Sequence, residues 1–149
     1  MTARGVKVLF NQQLIAEHAQ MVRASVSRLQ RFSSMSLEQF TGDADNYAIT
    51  EHHLRRALQA LLDFGRHVAV KSGWGNPGSY REVLELLEKG GVVDPAFRRR
   101  IQGMAGYRNR LVHDYALVGP EEIWGLVRER LADLTTFLDK LLAYVAALQ

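Results

Sequence analysis

Leu131-Ala132-Asp133-Leu134-Thr135-Thr136-Phe137-Leu138-Asp139-Lys140-Leu141-Leu142-Ala143-Tyr144-Val145-Ala146-Ala147-Leu148 is the most regular stretch of this chain. Leu131, Leu134, Leu138, Leu141, Val145 and Leu148 recur at alternating steps of three and four. That spacing puts one apolar seam along a helix that needs other helices to cover it. Just upstream, Gly119-Pro120-Glu121-Glu122 supplies a break and then two acids in a first turn, where the helix dipole favours them.

The same periodicity extends toward the N-terminus. Leu14, Met21, Val22, Val26, Leu29 and Phe32 stripe a helix expected over about residues 9–32. Ser36-Leu37-Glu38-Gln39 has the form of a capping box and announces a short turn of helix before Thr41-Gly42-Asp43. A second long helix is expected over about residues 45–71, with Tyr47, Leu54, Leu58, Leu61, Leu62 and Val68 facing the core. Ser72 to Gly78 breaks it, and Ser79-Tyr80-Arg81-Glu82, a second box pattern, opens a short helix that ends at Gly90-Gly91. Asp94-Pro95 then starts a helix carrying Phe97, Ile101, Met104, Leu111 and Tyr115. No strand alternation or internal repeat interrupts the pattern. The expected fold is all-α: an antiparallel helical bundle of about five helices in a single domain over residues 1–149.

Composition narrows the function classes. Hydrophobic residues are 47% and charged residues 23% of the 149, a globular balance that needs no staples. There is no cysteine, which rules out disulfides, thiolate metal sites and thiol catalysis. The N-terminus has no secretory pattern, and the longest apolar stretch, Leu141 to Leu148, is far short of a membrane span. The expectation is a soluble cytoplasmic protein with no membrane partner. A net charge of +3 agrees with a nucleic-acid partner without requiring one.

The charge is concentrated between Asp94 and Tyr115. Arg98, Arg99, Arg100, Arg108 and Arg110 stand there against Asp94 and Asp114, so this segment alone carries the net charge of the whole chain. A phosphate-bearing partner would be drawn to it. Arg108 lies on the apolar stripe with Ile101, Met104, Leu111 and Tyr115, and a guanidinium so placed needs partners. One reading is an arginine held by a carboxylate or by carbonyls between helices; the other is a phosphate ligand. His113 follows five residues later, about 140° around an ideal helix from Arg108. Both groups reach one substrate only if the helix deforms near His113 or a second protomer contributes. The residue types suit cleavage of RNA. An imidazole can take the 2′-hydroxyl proton or protonate the leaving oxygen, an arginine can offset charge growing on phosphorus, and a phenol can contact phosphate or a base. No metal and no cofactor are required.

Arg108-Asn109-Arg110-Leu111-Val112-His113-Asp114-Tyr115 fits R-x-x-x-x-H-x-Y, and here the chain resembles the HepT family of the HEPN superfamily. Met104 to Asn109 matches the lead-in, and the likeness runs from about Leu14 to Tyr144. It takes in Leu61-Leu62-Asp63, Pro77 to Tyr80 and Gly90-Gly91. The resemblance implies a four-helix HEPN-type core that forms a homodimer with both motifs facing a shared cleft. It implies metal-independent RNA endonuclease activity with Arg108 and His113 as the catalytic pair. It also implies a toxin paired with a nucleotidyltransferase-fold antitoxin that silences it by adenylylating Tyr115. Asn109, Arg110, Asp114 and Asp63 are candidate supporting residues. Some members of the family are better described as non-catalytic accessory or substrate-binding subunits of a nucleotidyltransferase, which is the alternative reading.

Other residues give weaker signals. His52 and His53 are adjacent, face different directions and make a poor metal pair, so a solvated face is expected. His18 and His67 stand alone. Asp63, beside the apolar stripe of the second helix, has the reach to pair with Arg108 or to orient His113, but an ordinary salt bridge is the expectation. Trp74 is expected to anchor its loop rather than to stack on a base.

Overall fold

The computed structural model describes residues 8–113 and 118–149, with only the helical backbone described at Val112 and His113. Among these residues every regular element is a helix: α1 (Gln12–Ser33), α2 (Leu37–Thr41), α3 (Ala44–Lys71), α4 (Tyr80–Lys89), α5 (Pro95–Ile101), α6 (Gly103–His113) and α7 (Pro120–Ala147).

Capping chemistry sets most of the boundaries. The Asn11 side chain accepts the Leu14 N–H, so α1 starts at Gln12, and Leu9, expected in the helix, stays exposed before it. Ser36 and Gln39 form the expected reciprocal box at α2. At α4 the pattern is only half used. Ser79 accepts the Glu82 N–H, but the Glu82 carboxylate accepts the N–H of Gly78 instead of that of Ser79. The helix expected to run unbroken from Asp94 is two helices, with Gln102 between α5 and α6. Gly103 and Gly106 lie immediately beyond the break, and glycine weakens a helix interior by about 1 kcal/mol.

The long helices pack by burying their stripes. Val22, Leu29 and Phe32 of α1 meet Leu58, Leu61, Leu62 and Val68 of α3 and Leu138 and Leu141 of α7 in one core. Contacts at the helix ends give directions. Asn11, before α1, meets His67 near the end of α3, and Met35, after α1, accepts the Trp124 indole N–H near the start of α7. So α1 is antiparallel to both partners. The Tyr47 hydroxyl donates to the Val118 carbonyl, while the rings of Trp74 and Tyr144 meet at the other end, so α3 and α7 run the same way. The chain returns between them through α4, α5 and α6.

Helix α4 lies close against α3 because Gly65 has no side chain. A Cβ there would stand 2.9 Å from Leu87 and 3.0 Å from Val83. Trp74 anchors its loop, as expected. Its ring covers Gly90, where a Cβ would fall 2.1 Å from the indole.

Candidate active site

Helix α6 carries the motif and packs against α3. Ile101, Met104 and Leu111 are buried, and Arg108 sits half-buried at the edge of their stripe. Its guanidinium is anchored rather than extended into solvent. Nε donates to Gln59 Oε1 at 2.8 Å, and one Nη donates to Asn109 Oδ1 at 3.1 Å. The Tyr80 ring lies alongside, 5.1 Å from the guanidinium carbon to the ring centroid. A guanidinium has five N–H donors. The remaining three have no hydrogen-bond partner among the described residues.

Gln59 is held in turn. Its amide nitrogen donates to Asp63 Oδ2 at 3.0 Å and to the Tyr80 hydroxyl at 2.8 Å, and that hydroxyl donates to Asp63 Oδ1 at 2.5 Å. Every polar atom of the Gln59 amide is thereby used, so it cannot flip without losing the set. Tyr80 is pushed toward the protonated form by burial first, and then by its hydrogen bond to the Asp63 carboxylate. It acts here as a fixed donor. Arg66 also lies beside the Tyr80 ring, at 5.2 Å, and is tied to the Pro77 carbonyl.

These contacts correct the expectation for Asp63. It forms no salt bridge among the described residues; the carboxylate receives two neutral donors and reaches Arg108 only through Gln59. Arg110, a candidate supporting residue, is held from α7. Its two Nη atoms grip the Glu122 carboxylate at 2.7 and 2.9 Å at the junction of α6 and α7. Glu122 is held below the usual carboxylate range, chiefly by that hydrogen bond. Asn109 does touch Arg108. Of His113 only the helical backbone is described, and Asp114 and Tyr115 lie outside the described residues. The Val118 carbonyl, just past them, is fixed by Tyr47.

Reading the sequence did not find Gln59 and Tyr80 as site residues. Gln59 is four residues before Asp63, a spacing that puts both on one face of α3, but no local signal connects either to a residue on α6. His52 and His53 meet edge to face, 5.0 Å between ring centroids, and no group of three or more metal-binding side chains occurs among the described residues. The His67 imidazole accepts the Asn11 backbone N–H at 3.0 Å. No helix among the described residues is long and apolar enough to cross a membrane.

Comparison with known proteins gives this arrangement a context. The family model of HepT-like ribonucleases matches residues 22–141. The tRNA nuclease HepT of Aphanizomenon flos-aquae is 24% identical over 136 residues, covering 91% of this chain and 92% of that protein. Among solved structures, the tri-AMPylated HEPN toxin of Shewanella oneidensis, in complex with its MNT antitoxin, superposes with a TM-score of 0.78 at 24% identity. It covers 87% of this chain and 97% of the toxin. The Bacillus subtilis cytosolic protein YutE superposes with a TM-score of 0.79 at 17% identity, covering 95% of this chain and 94% of that one. At such identities the structural likenesses establish the fold.

Proposed function

This chain belongs to the HepT-like ribonuclease family, and we propose that it cleaves RNA without a metal, with Arg108 and His113 as the catalytic pair. The observation that carries the reading is Arg108 itself. It is half-buried and held at 2.8 Å by Gln59, and three of its N–H donors are left for a ligand. A scissile phosphate seated there would gain a charge-assisted, two-pronged contact, and the same contact would stabilise the extra charge of the transition state. The ribose 2′-hydroxyl attacks phosphorus, the bond to the 5′-oxygen breaks, and a 2′,3′-cyclic phosphate and a 5′-hydroxyl result. The His113 imidazole serves one of the two proton transfers, removing the 2′-hydroxyl proton or protonating the departing oxygen.

The relative that is a tRNA nuclease makes transfer RNA the first substrate to try. The toxin–antitoxin neighbours support a nucleotidyltransferase-fold antitoxin as partner, with Tyr115 as the residue it modifies. Transfer of adenylate from ATP to the Tyr115 hydroxyl would release pyrophosphate and leave a phosphodiester anion seven residues from Arg108, in competition with the RNA phosphate. A homodimer that faces two motifs across one cleft would bring the second side chain of the pair into reach, and the protein would act in the cytoplasm.

The test is direct. Purified protein, incubated with tRNA and total RNA in the presence of a chelator, yields fragments ending in cyclic phosphate; Arg108→Ala and His113→Ala variants do not. Full cleavage by either variant removes the assigned pair. Intact RNA with the parent chain, together with tight binding of the nucleotidyltransferase, would instead support an accessory subunit.

A further inference from the structure

Away from α6, one face of the bundle gathers arginines that form no salt bridge among the described residues. Arg28 and Arg31 on α1 and His52, His53 and Arg56 on α3 stand together. His53 is held below the usual imidazole range by burial first, and then by His52, Arg28, Arg56 and Arg31. The three arginines and His52 are exposed. Among the described residues none of the three arginines meets a carboxylate. Arg56 directs Nε and one Nη onto the Met21 sulfur, at 3.1 and 3.0 Å, and Arg31 rests on the Phe32 ring, 4.5 Å from its centroid. Six other arginines, Arg55, Arg81, Arg98, Arg100, Arg110 and Arg130, have acidic partners; of those that do not, these three stand together around His53. A thioether and a ring face are weak substitutes for a carboxylate, so clustering these cations costs free energy that a bound polyanion would return.

The position of the cluster identifies the polyanion. His52, Arg56, Gln59 and Asp63 occupy one stripe of α3, successive steps of four, three and four, covering about 16 Å along the axis. A groove of about 330 Å³ runs beside that stripe, with Arg55 and Arg56 on its lining together with Glu17, Met21, Gln59 and Asp63. One end of the stripe is the cationic cluster; the other is the residue pair that fixes Arg108. We infer that the α1–α3 face bearing Arg28, Arg31, His52, His53 and Arg56 binds the phosphate backbone of the RNA outside the scissile position. It reads no sequence and leads the strand along α3 toward Arg108. Mixed arginine and histidine contacts to phosphates position a strand without reading its bases. This inference rests on the nuclease reading for the identity of the ligand, but not for the existence of the surface.

The experiment uses the full chain carrying Arg28→Gln, Arg31→Gln and Arg56→Gln together, all exposed positions, with circular dichroism as the folding check. Binding is read by fluorescence anisotropy on a labelled single-stranded RNA whose 2′-hydroxyls are methylated, so that it cannot be cleaved. Activity is read separately on a ribodinucleotide too short to reach the cluster. Loss of three phosphate contacts should weaken binding roughly tenfold or more at low salt and make the salt dependence shallower by about 2 in the logarithmic slope. Cleavage of the ribodinucleotide should stay at the parent rate, and an Arg28→Lys, Arg31→Lys, Arg56→Lys variant should recover the slope.

An unchanged slope with the parent chain still cleaving overturns the inference and leaves the nuclease reading standing. A reduced slope with no cleavage by the parent on any RNA overturns the nuclease reading and keeps the surface. Unchanged RNA binding together with lost affinity for the nucleotidyltransferase partner would assign the face to that protein and overturn the inference. If the glutamine variant loses its helical signal, the lysine variant and the single substitutions decide by the same slope.

Discussion

Arg108 and Gln59 lie 49 positions apart in the sequence and are joined by a 2.8 Å hydrogen bond between α6 and α3. Gln59 accepts from the guanidinium through its oxygen and donates through its nitrogen to Asp63 and Tyr80, so the arginine's direction is set by three residues on two other helices. The expected consequence is that Gln59→Leu, close in volume and without polar atoms, slows RNA cleavage by up to about 10²-fold, because a misplaced catalytic group can cost that much. Rates on tRNA, measured beside the melting temperature, check it. An unchanged rate would show that the substrate alone orients Arg108.

Tyr80→Phe removes the hydroxyl but keeps the ring beside Arg108. It should cost two hydrogen bonds, the one donated to the Asp63 carboxylate, about 1.5–3 kcal/mol before solvent replaces it, and the weaker one accepted from the Gln59 amide. Cleavage should fall less than in Gln59→Leu, since the contact between Arg108 and Gln59 survives. A Tyr80→Phe rate as low as that of Gln59→Leu would mean that Asp63, rather than Gln59, governs the arginine.

Gly90→Ala should drive a methyl into the indole of Trp74, since a Cβ at that position would lie 2.1 Å from the ring. Overpacking of this kind costs about 1–3 kcal/mol, and the ring must leave its contact with Tyr144 to relieve it. A lower melting temperature with red-shifted tryptophan emission is the expected result. The parent spectrum would argue that the loop yields instead.

Acid should weaken the fold in two steps. The His67 imidazole sits below its ordinary value of 6.5, chiefly through burial and then through Lys71 and His18, and it uses a lone pair to accept the Asn11 N–H. Its contribution is complete above pH 6.5 and is lost as pH falls through its lower folded value. Substitution of His67 by Phe should flatten that part of the melting curve against pH.

Glu122 gives the second step. Its folded value lies below 4.5, so the stability from its grip on Arg110 is present above that pH and disappears on further acidification. The pair is partly exposed, so solvent screens it and the effect is small, and Glu122→Gln should reduce it. If the acid limb of Glu122→Gln coincides with the parent's, the α6–α7 clamp contributes nothing measurable.

The order of helices, most of their ends and the apolar seams follow from the sequence, because they depend on interactions within four residues: side-chain periodicity and caps. The seam from Leu131 to Leu148, the box at Ser36 and the N-cap at Asp94 are of this kind. So is the motif from Arg108 to Tyr115, since its residues are neighbours in the chain. At Gln102, just before two glycines, the structure divides a helix that periodicity alone would continue. Only the tertiary structure decided what holds Arg108, that Arg110 grips Glu122, and that Arg28 and Arg31 of α1 stand with Arg56 of α3 around His53. Each of these depends on distances between segments far apart in the chain. Such distances are fixed by how the long helices pack, including the close approach at Gly65, and no local pattern of residues records them.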